Sequence, residues 1–290
     1  MKVAIASGKG GTGKTTVAVN LARVAADAGL RVQLLDCDVE EPDCALFLRP
    51  RIQQTLPVEL AIPEVDEASC THCGVCSDVC EFKAIVSLPT SVLVFPELCH
   101  SCGACALLCP QNAVSEVPRR TGVVQLGRAD SVATAAGRLD IGEAKSPPVI
   151  KAVRAQIDPA ADLVLIDAPP GTSCPVIEAV RGADLVLLVS EPTPFGLHDL
   201  KLAVETVRIL GLRLAVVANR ADIGDDRLRD YCEQEGIETL LELPDDRRLA
   251  EAYSRGELAV DALPGYRERF AGLLRRVRAC AGAPVAGGAS

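Results

Sequence analysis

The sequence predicts an α/β protein: a mostly parallel sheet covered by helices, interrupted by a smaller α+β insert. Three observations carry this prediction. Short apolar runs alternate with helix-periodic segments near both ends of the chain, the pattern of strands that pair in parallel through helical crossovers. The middle breaks that pattern and is crowded with cysteine. Within it, four cysteine positions recur 29 residues later. At 290 residues, 49% hydrophobic and 24% charged, the chain can bury one large core or two smaller ones.

The first strand is Lys2–Ala6, an apolar run that ends in glycine-rich sequence. Lys14–Ala28 follows with Val17, Leu21, Val24 and Ala28 at helical spacing, and Gly29 stops it. Arg31–Asp36 is a second buried strand, built on Val32, Leu34 and Leu35. Continuous Val/Leu/Ile runs then reappear at Asp162–Asp167, Leu185–Ser190 and Arg213–Asn219, as strands buried on both faces require. Helical segments are expected at Val149–Gln156, Pro175–Val180, Leu197–Leu210, Asp226–Glu235, Arg247–Arg255 and Tyr266–Cys280. The predicted division is a discontinuous α/β domain, 1–63 with 119–290, and an insert, 64–118.

Gly8-Lys9-Gly10-Gly11-Thr12-Gly13-Lys14-Thr15 fits the phosphate-loop pattern G-x-x-x-x-G-K-[ST], between a strand and a helix as the mechanism needs. The glycines let backbone N–H groups curl around a phosphate, and the helix N-terminus adds its positive end. Lys14 is expected on the β and γ phosphates, Thr15 on Mg²⁺, and Thr16 beside them. Leu163-Val164-Leu165-Ile166 places Asp167 at the C-terminal end of a strand, the edge where open α/β sheets bind ligands. From there Asp167 can reach Mg²⁺ through water.

Lys9, a second lysine early in the loop, makes GKGGTGKTT resemble the deviant Walker-A ATPases of the MinD/ParA/Mrp and nitrogenase-iron-protein superfamily. The resemblance spans about Met1–Leu60 and Thr121–Cys280. It implies an ATPase, slow or partner-activated, that uses Mg-ATP and dimerises with nucleotide, with itself or with a paralogue. It implies that Lys9 reaches the partner's nucleotide, and that Asp38, in Leu34-Leu35-Asp36-Cys37-Asp38, positions the attacking water and joins Thr15 and Asp167 around magnesium. Asp36 would support the metal region, Gly171 would pivot towards the γ-phosphate, and Asn219 would read the adenine edge. Glu191-Pro192-Thr193 and Leu243-Pro244-Asp245 resemble the family's loops around the base.

The insert carries C-x₂-C-x₂-C-x₃-C twice, the bacterial two-cluster ferredoxin run, in which the fourth cysteine of each run serves the other cluster. Cys70, Cys73, Cys76 and Cys109 are therefore expected to hold one [4Fe–4S] cluster, and Cys99, Cys102, Cys105 and Cys80 the second. Ala84-Ile85 and Ala113-Val114 extend the repeat. Zinc is the alternative metal, although its sites rarely use consecutive C-x₂-C-x₂-C triplets. Cys109 precedes Pro110, as the pattern asks, but Cys80 precedes Glu81, which predicts a lower potential at the Cys99 cluster. His72 and His100 are expected at the surface or behind the ligands. Most of Cys37, Cys44, Cys174, Cys232 and Cys280 are expected as small packed residues.

The combination resembles MinD-superfamily ATPases with an inserted two-cluster ferredoxin domain, and Leu139-Asp140-Ile141-Gly142-Glu143 also resembles that group. It implies nucleotide-dependent dimer switching coupled to electron transfer or docking, with a redox or iron–sulfur partner protein that the sequence does not name. Two other functions compete. An iron–sulfur carrier of the Mrp type uses a late C-x-x-C, whereas Cys232 and Cys280 stand apart here. A MinD- or ParA-type spatial organiser needs a membrane tail or a basic patch. The net charge of −9 argues against nucleic acid, and the small-residue tail Ala281–Ser290 offers no anchor. The helix with Tyr266, Phe270, Leu273, Leu274 and Val277 on one side and arginines elsewhere is expected as a domain helix. With no ~18-residue apolar run and no signal-peptide layout, the expected location is cytoplasmic.

Overall fold

The computed structural model describes residues 1–282; the end of the small-residue tail, 283–290, lies outside the described residues. The chain forms two compact units: Met1–Thr55 with Val124–Arg138 and Ile150 onward, and Leu56–Val123 with Leu139–Val149. The second unit is therefore wider than the segment 64–118 expected from the cysteines.

The described residues form eleven strands: β1 (Lys2–Ala6), β2 (Val32–Asp36), β3 (Arg51–Val65), β4 (Ile85–Ser87), β5 (Val92–Val94), β6 (Val114–Ala129), β7 (Val132–Leu139), β8 (Leu163–Asp167), β9 (Leu185–Ser190), β10 (Leu214–Asn219) and β11 (Thr239–Leu243). In the first unit the sheet runs β11-β10-β9-β1-β8-β2-β7, followed by that unit's parts of β6 and β3. Pairing is parallel from β11 through β7, with Val3 opposite Leu165 and Leu185, and Leu34 opposite Leu165 and Thr134. The continuous apolar runs follow from this position. Every residue of β2, β8 and β9 is buried, because helices cover both faces. The helix Lys14–Asp27 buries Val17, Leu21 and Val24 in the same core as Tyr266, Phe270, Leu273, Leu274 and Val277 of the helix Tyr266–Gly282. That last helix is a core element with its arginines outside. Among the described residues, no helix is long and apolar enough to cross a membrane.

Parallel pairing brings the C-terminal ends of β1, β2, β8, β9, β10 and β11 to one edge of the sheet. Ala6, Asp36, Asp167, Ser190, Asn219 and Leu243 all stand there.

The second unit is a twofold repeat in its backbone as well as its sequence. Gly74 and Gly103, both left-handed (φ 84° and 70°), start the short helices Val75–Val79 and Ala104–Leu107. His72 and Ser101 (φ 53° and 54°), and Lys83 and Asn112 (φ 51° and 52°), repeat the same strained turns. The halves exchange backbone hydrogen bonds: Asp66 N–H donates to Ala113 O at 2.8 Å, and Phe95 N–H to Ala84 O at 2.7 Å. Asp66 and Phe95, like Ala84 and Ala113, are 29 residues apart, so each half opens against the end of the other. Cys76, Ile85, Cys105 and Val114 form the small core between them.

Candidate functional site

β1 ends where the loop begins, and Ser7 Oγ donates to Lys9 O at 2.5 Å, turning the chain. Gly13 has φ 97°, and a Cβ there would lie 2.6 Å from Asn219 Nδ2. The left-handed backbone favours glycine at that position, and a larger residue would also have to displace the Asn219 amide. Helix growth starts at once, with Val17 N–H on Gly13 O at 3.0 Å. Beside this helix N-terminus lies a cavity of about 410 Å³, in the size range of small-molecule pockets. Gly10, Gly11, Gly13, Lys14, Thr15, Thr16, Asp38 and Asn219 all line it. The structure thus brings most of the predicted nucleotide residues to one wall. Asn219 Nδ2 donates to Thr12 O at 2.8 Å, tying β10 to the loop, while its Oδ1 is buried without a partner.

Acids gather at the same edge. Asp167 Oδ2 accepts from Thr15 Oγ1 at 2.7 Å, and its buried Oδ1 has no partner. Asp36 accepts from Asp38 N–H at 3.2 Å and from Cys44 N–H at 3.0 Å. Burial, and then the Asp167 charge, push Asp36 well above the usual carboxylate range. Burial also raises Asp167, against the pull of Thr15 and Lys14. Asp38 is raised to about 6, by burial first and with Asp167, Glu40 and Glu41 adding, while Lys14 opposes. A row of acids that resists ionisation, with one unsatisfied oxygen, is what a cation would complete.

Cys44 packs in the main core as expected, and its thiol also joins this group of acids. Its thiol donates to Asp167 Oδ2 at 3.4 Å, and Asp36, Cys44 and Asp167 bring three ligand atoms within 4.8 Å of one another. No local motif announces it, because the contact joins positions 123 residues apart. Tyr253 and Asp43 in the cavity wall are likewise visible only after folding. Lys9 points elsewhere: its ammonium pairs with buried Glu191 at 3.4 Å, and Glu191 also holds Arg220 at 3.1 Å. Gly171 has φ 99° and donates its N–H to Ser7 O at 3.0 Å.

In the second unit the eight cysteines sort into two sets of four. Cys70, Cys73, Cys76 and Cys109 line one small cavity; Cys80, Cys99, Cys102 and Cys105 line another. The backbone exchange described above is what delivers Cys80 and Cys109 to the opposite halves. Backbone N–H groups aim at the sulfurs in matched pairs. His72 donates to Cys70 and Ser101 to Cys99, both at 3.4 Å; Ala84 donates to Cys80 and Ala113 to Cys109, both at 3.3 Å. All thirteen cysteines are free, and Cys174, expected to pack, is exposed at the start of the helix Cys174–Val180. His72 pairs with Glu67 at 3.0 Å, and His100 stacks on Phe82 with ring centroids 3.5 Å apart.

The CobQ/CobB/MinD/ParA nucleotide binding domain family matches residues 3–260. An uncharacterized protein of Methanocaldococcus jannaschii is 36% identical over 223 residues, covering 76% of this chain and 78% of its own. The iron-sulfur cluster carrier protein of Pyrococcus abyssi is 27% identical over 270 residues, covering 88% and 77%. Among solved structures, the cell division ATPase MinD of Pyrococcus furiosus superposes with a TM-score of 0.60 at 21% identity, covering 96% of this chain and 98% of its own. The septum site-determining protein MinD of Pyrococcus horikoshii, complexed with Mg-ADP, gives 0.59 at 20%, covering 97% of each. At such identities these structures share the fold. The family match over nearly the whole chain decides membership: this chain belongs to the CobQ/CobB/MinD/ParA nucleotide-binding domain family.

Proposed function

We propose that the chain is a Mg-ATP-hydrolysing iron–sulfur protein, in which nucleotide-dependent dimer switching controls electron transfer or docking through two [4Fe–4S] clusters. The observation that carries the iron–sulfur half is the sorting of eight cysteines into two interleaved fours. Zinc fits less well. Four thiolates around one zinc, at Zn–S ≈ 2.3 Å, stand about 3.8 Å apart. Among the described residues no three thiols of either set lie within 4.8 Å of one another. The spread suits a larger group. Cys70, Cys73, Cys76 and Cys109 would hold one cluster, and Cys99, Cys102, Cys105 and Cys80 the other. Such groups supply one-electron transfer.

On the nucleotide side, the glycine loop and Lys14 bind the phosphates, and Thr15, Asp167 and Asp38 would hold magnesium directly or through water. Asp167 Oδ1, buried without a partner, supports that role. Asp38, raised to about 6, is suited to take a proton from attacking water near neutral pH. Lys9 serves across the dimer once it leaves Glu191.

A second function, cluster delivery, is favoured by the similarity to the carrier of Pyrococcus abyssi. Cys232, only 2% exposed, is ill placed to offer a shared, labile site. Anaerobic purification tests both. A brown protein with about eight iron per chain, whose clusters stay in place when an apo-ferredoxin acceptor is added, meets the redox expectation. Stoichiometric zinc without iron ends it, and rapid transfer to the acceptor favours the carrier.

A further inference from the structure

We propose that Lys145 makes the site of Cys80, Cys99, Cys102 and Cys105 the more positive of the two redox sites. The inference rests on the two-cluster function proposed above. Lys145 Nζ donates to the backbone carbonyl of Cys99 at 2.6 Å. The contact is supported from behind. Lys145 N–H donates to Glu143 Oε1 at 3.1 Å, and Glu143 Oε2 holds Arg119 at 2.6 Å. The Glu143 side chain is 2% exposed, and Lys145 itself is half-buried, so its charge is held in one place and partly out of water.

The other half is a control supplied by the repeat. Cys70 lies 29 residues before Cys99 in a matching turn, but the charged group beside it is an acid. Glu67, Cys70 and His72 bring their ligand atoms within 4.8 Å of one another. Glu67 is fixed there by Val92 N–H at 2.9 Å and by His72 at 3.0 Å. Two nearly equal backbones thus carry a half-buried cation beside one ligand and an exposed acid, itself paired with His72, beside its equivalent.

Reduction adds one negative charge to a site. A fixed cation nearby favours the reduced form and a carboxylate disfavours it. Glu116 lines the same cavity, and Glu81 and Lys83 follow Cys80 in sequence, but all three are exposed and screened by water. Half-buried Lys145, on the ligand's own carbonyl, outweighs them, and the buried Glu143 charge behind it is matched by Arg119. This reverses the order that Glu81 alone predicts from sequence. Lys145 acts through the ligand's carbonyl and touches no sulfur, so it is a positioning residue.

The test is a potentiometric titration of the full-length, anaerobically reconstituted protein, followed by electron paramagnetic resonance, with iron counted first. Two reduction steps are expected. Lys145→Met should lower the more positive step by roughly tenfold in its equilibrium constant, about 59 mV for a one-electron couple, and leave the other unmoved. Lys145→Arg should restore the wild-type value. Lys145→Gln keeps a donor to the carbonyl without the charge, and carries the same expectation as Lys145→Met should that variant lose iron. Unchanged potentials in both neutral variants, or a shift confined to the more negative step, overturn the role of Lys145. Absence of iron from the wild-type protein instead overturns the two-cluster function on which it rests.

Discussion

Asp38 shows how a single residue takes its chemistry from its neighbours. In sequence it is one acid among several in Asp36-Cys37-Asp38-Val39-Glu40-Glu41. Its value of about 6 comes from burial beside Asp167, Glu40 and Glu41, which outweighs the attraction of Lys14. Asp38→Ala should therefore keep ATP binding and slow hydrolysis, by roughly 10²–10⁴-fold if it removes a general base. Equilibrium binding and single-turnover phosphate release separate the two effects, and unchanged turnover would exclude Asp38 from the chemistry. Lys14→Ala should lose tight ATP binding itself, because the charge facing the phosphates is gone. At the opposite edge of the sheet, Asp162 is held down to about 2 by hydrogen bonds from the Arg31 side chain and backbone. A depressed acid stabilises the fold above its unfolded value near 3.9, and that contribution is lost as pH falls towards about 2. Asp162→Asn should lower the melting temperature at pH 7 and have little effect near pH 2. Because the pair is exposed, the difference at pH 7 should be small and should shrink in salt.

The elements that were legible in the sequence are those whose burial is uniform. β1, β2, β8, β9 and β10 are apolar runs covered on both faces, and the phosphate loop is contiguous, so both show without tertiary information. β3 was not legible. Ten of its fifteen residues, Arg51–Leu60, include two glutamines, a proline and mostly exposed positions, so neither a run nor a clean alternation marks it. β6 and β7 hide for a similar reason, with small or charged residues at partly buried places. The grouping of the eight cysteines around two cavities follows a spacing that is local in sequence, whereas Cys44, Glu191 and Lys145 gain their contacts only when distant segments meet. The repeat makes its own prediction at this scale. Each cavity takes three cysteines from one half and one from the other. Cys73→Ala should therefore remove one cluster and leave the second at least partly filled, taking iron from about eight to about four per chain. Complete loss of iron from Cys73→Ala, with Cys102→Ala behaving normally, would show that the halves do not load independently.

For the whole molecule the question is whether the nucleotide site and the cysteine sites exchange free energy. The chain crosses between the two compact units four times, at 55–56, 123–124, 138–139 and 149–150. Each crossing falls inside a regular element: β3, β6, β7 and the helix Pro147–Arg154. Regular elements therefore supply the covalent links along which any coupling within one chain would run. Lys145 stands two residues before that helix, on the carbonyl of Cys99. If ATP biases a two-state dimer, and the redox sites differ between the two states, then ATP must shift their potential. Linkage requires that redox state shift ATP affinity by the same free energy, typically ~1–3 kcal/mol. ATP dissociation constants of the oxidised and the reduced protein should therefore differ by about 5- to 150-fold. Lys9→Ala should shrink that ratio while sparing iron content, because it would loosen the proposed nucleotide-bridged dimer without touching either cysteine set. Equal affinities in the two redox states would make the second unit an uncoupled docking or wiring module. A ratio unchanged by Lys9→Ala would instead place the coupling within one chain, along the crossing strands and helix.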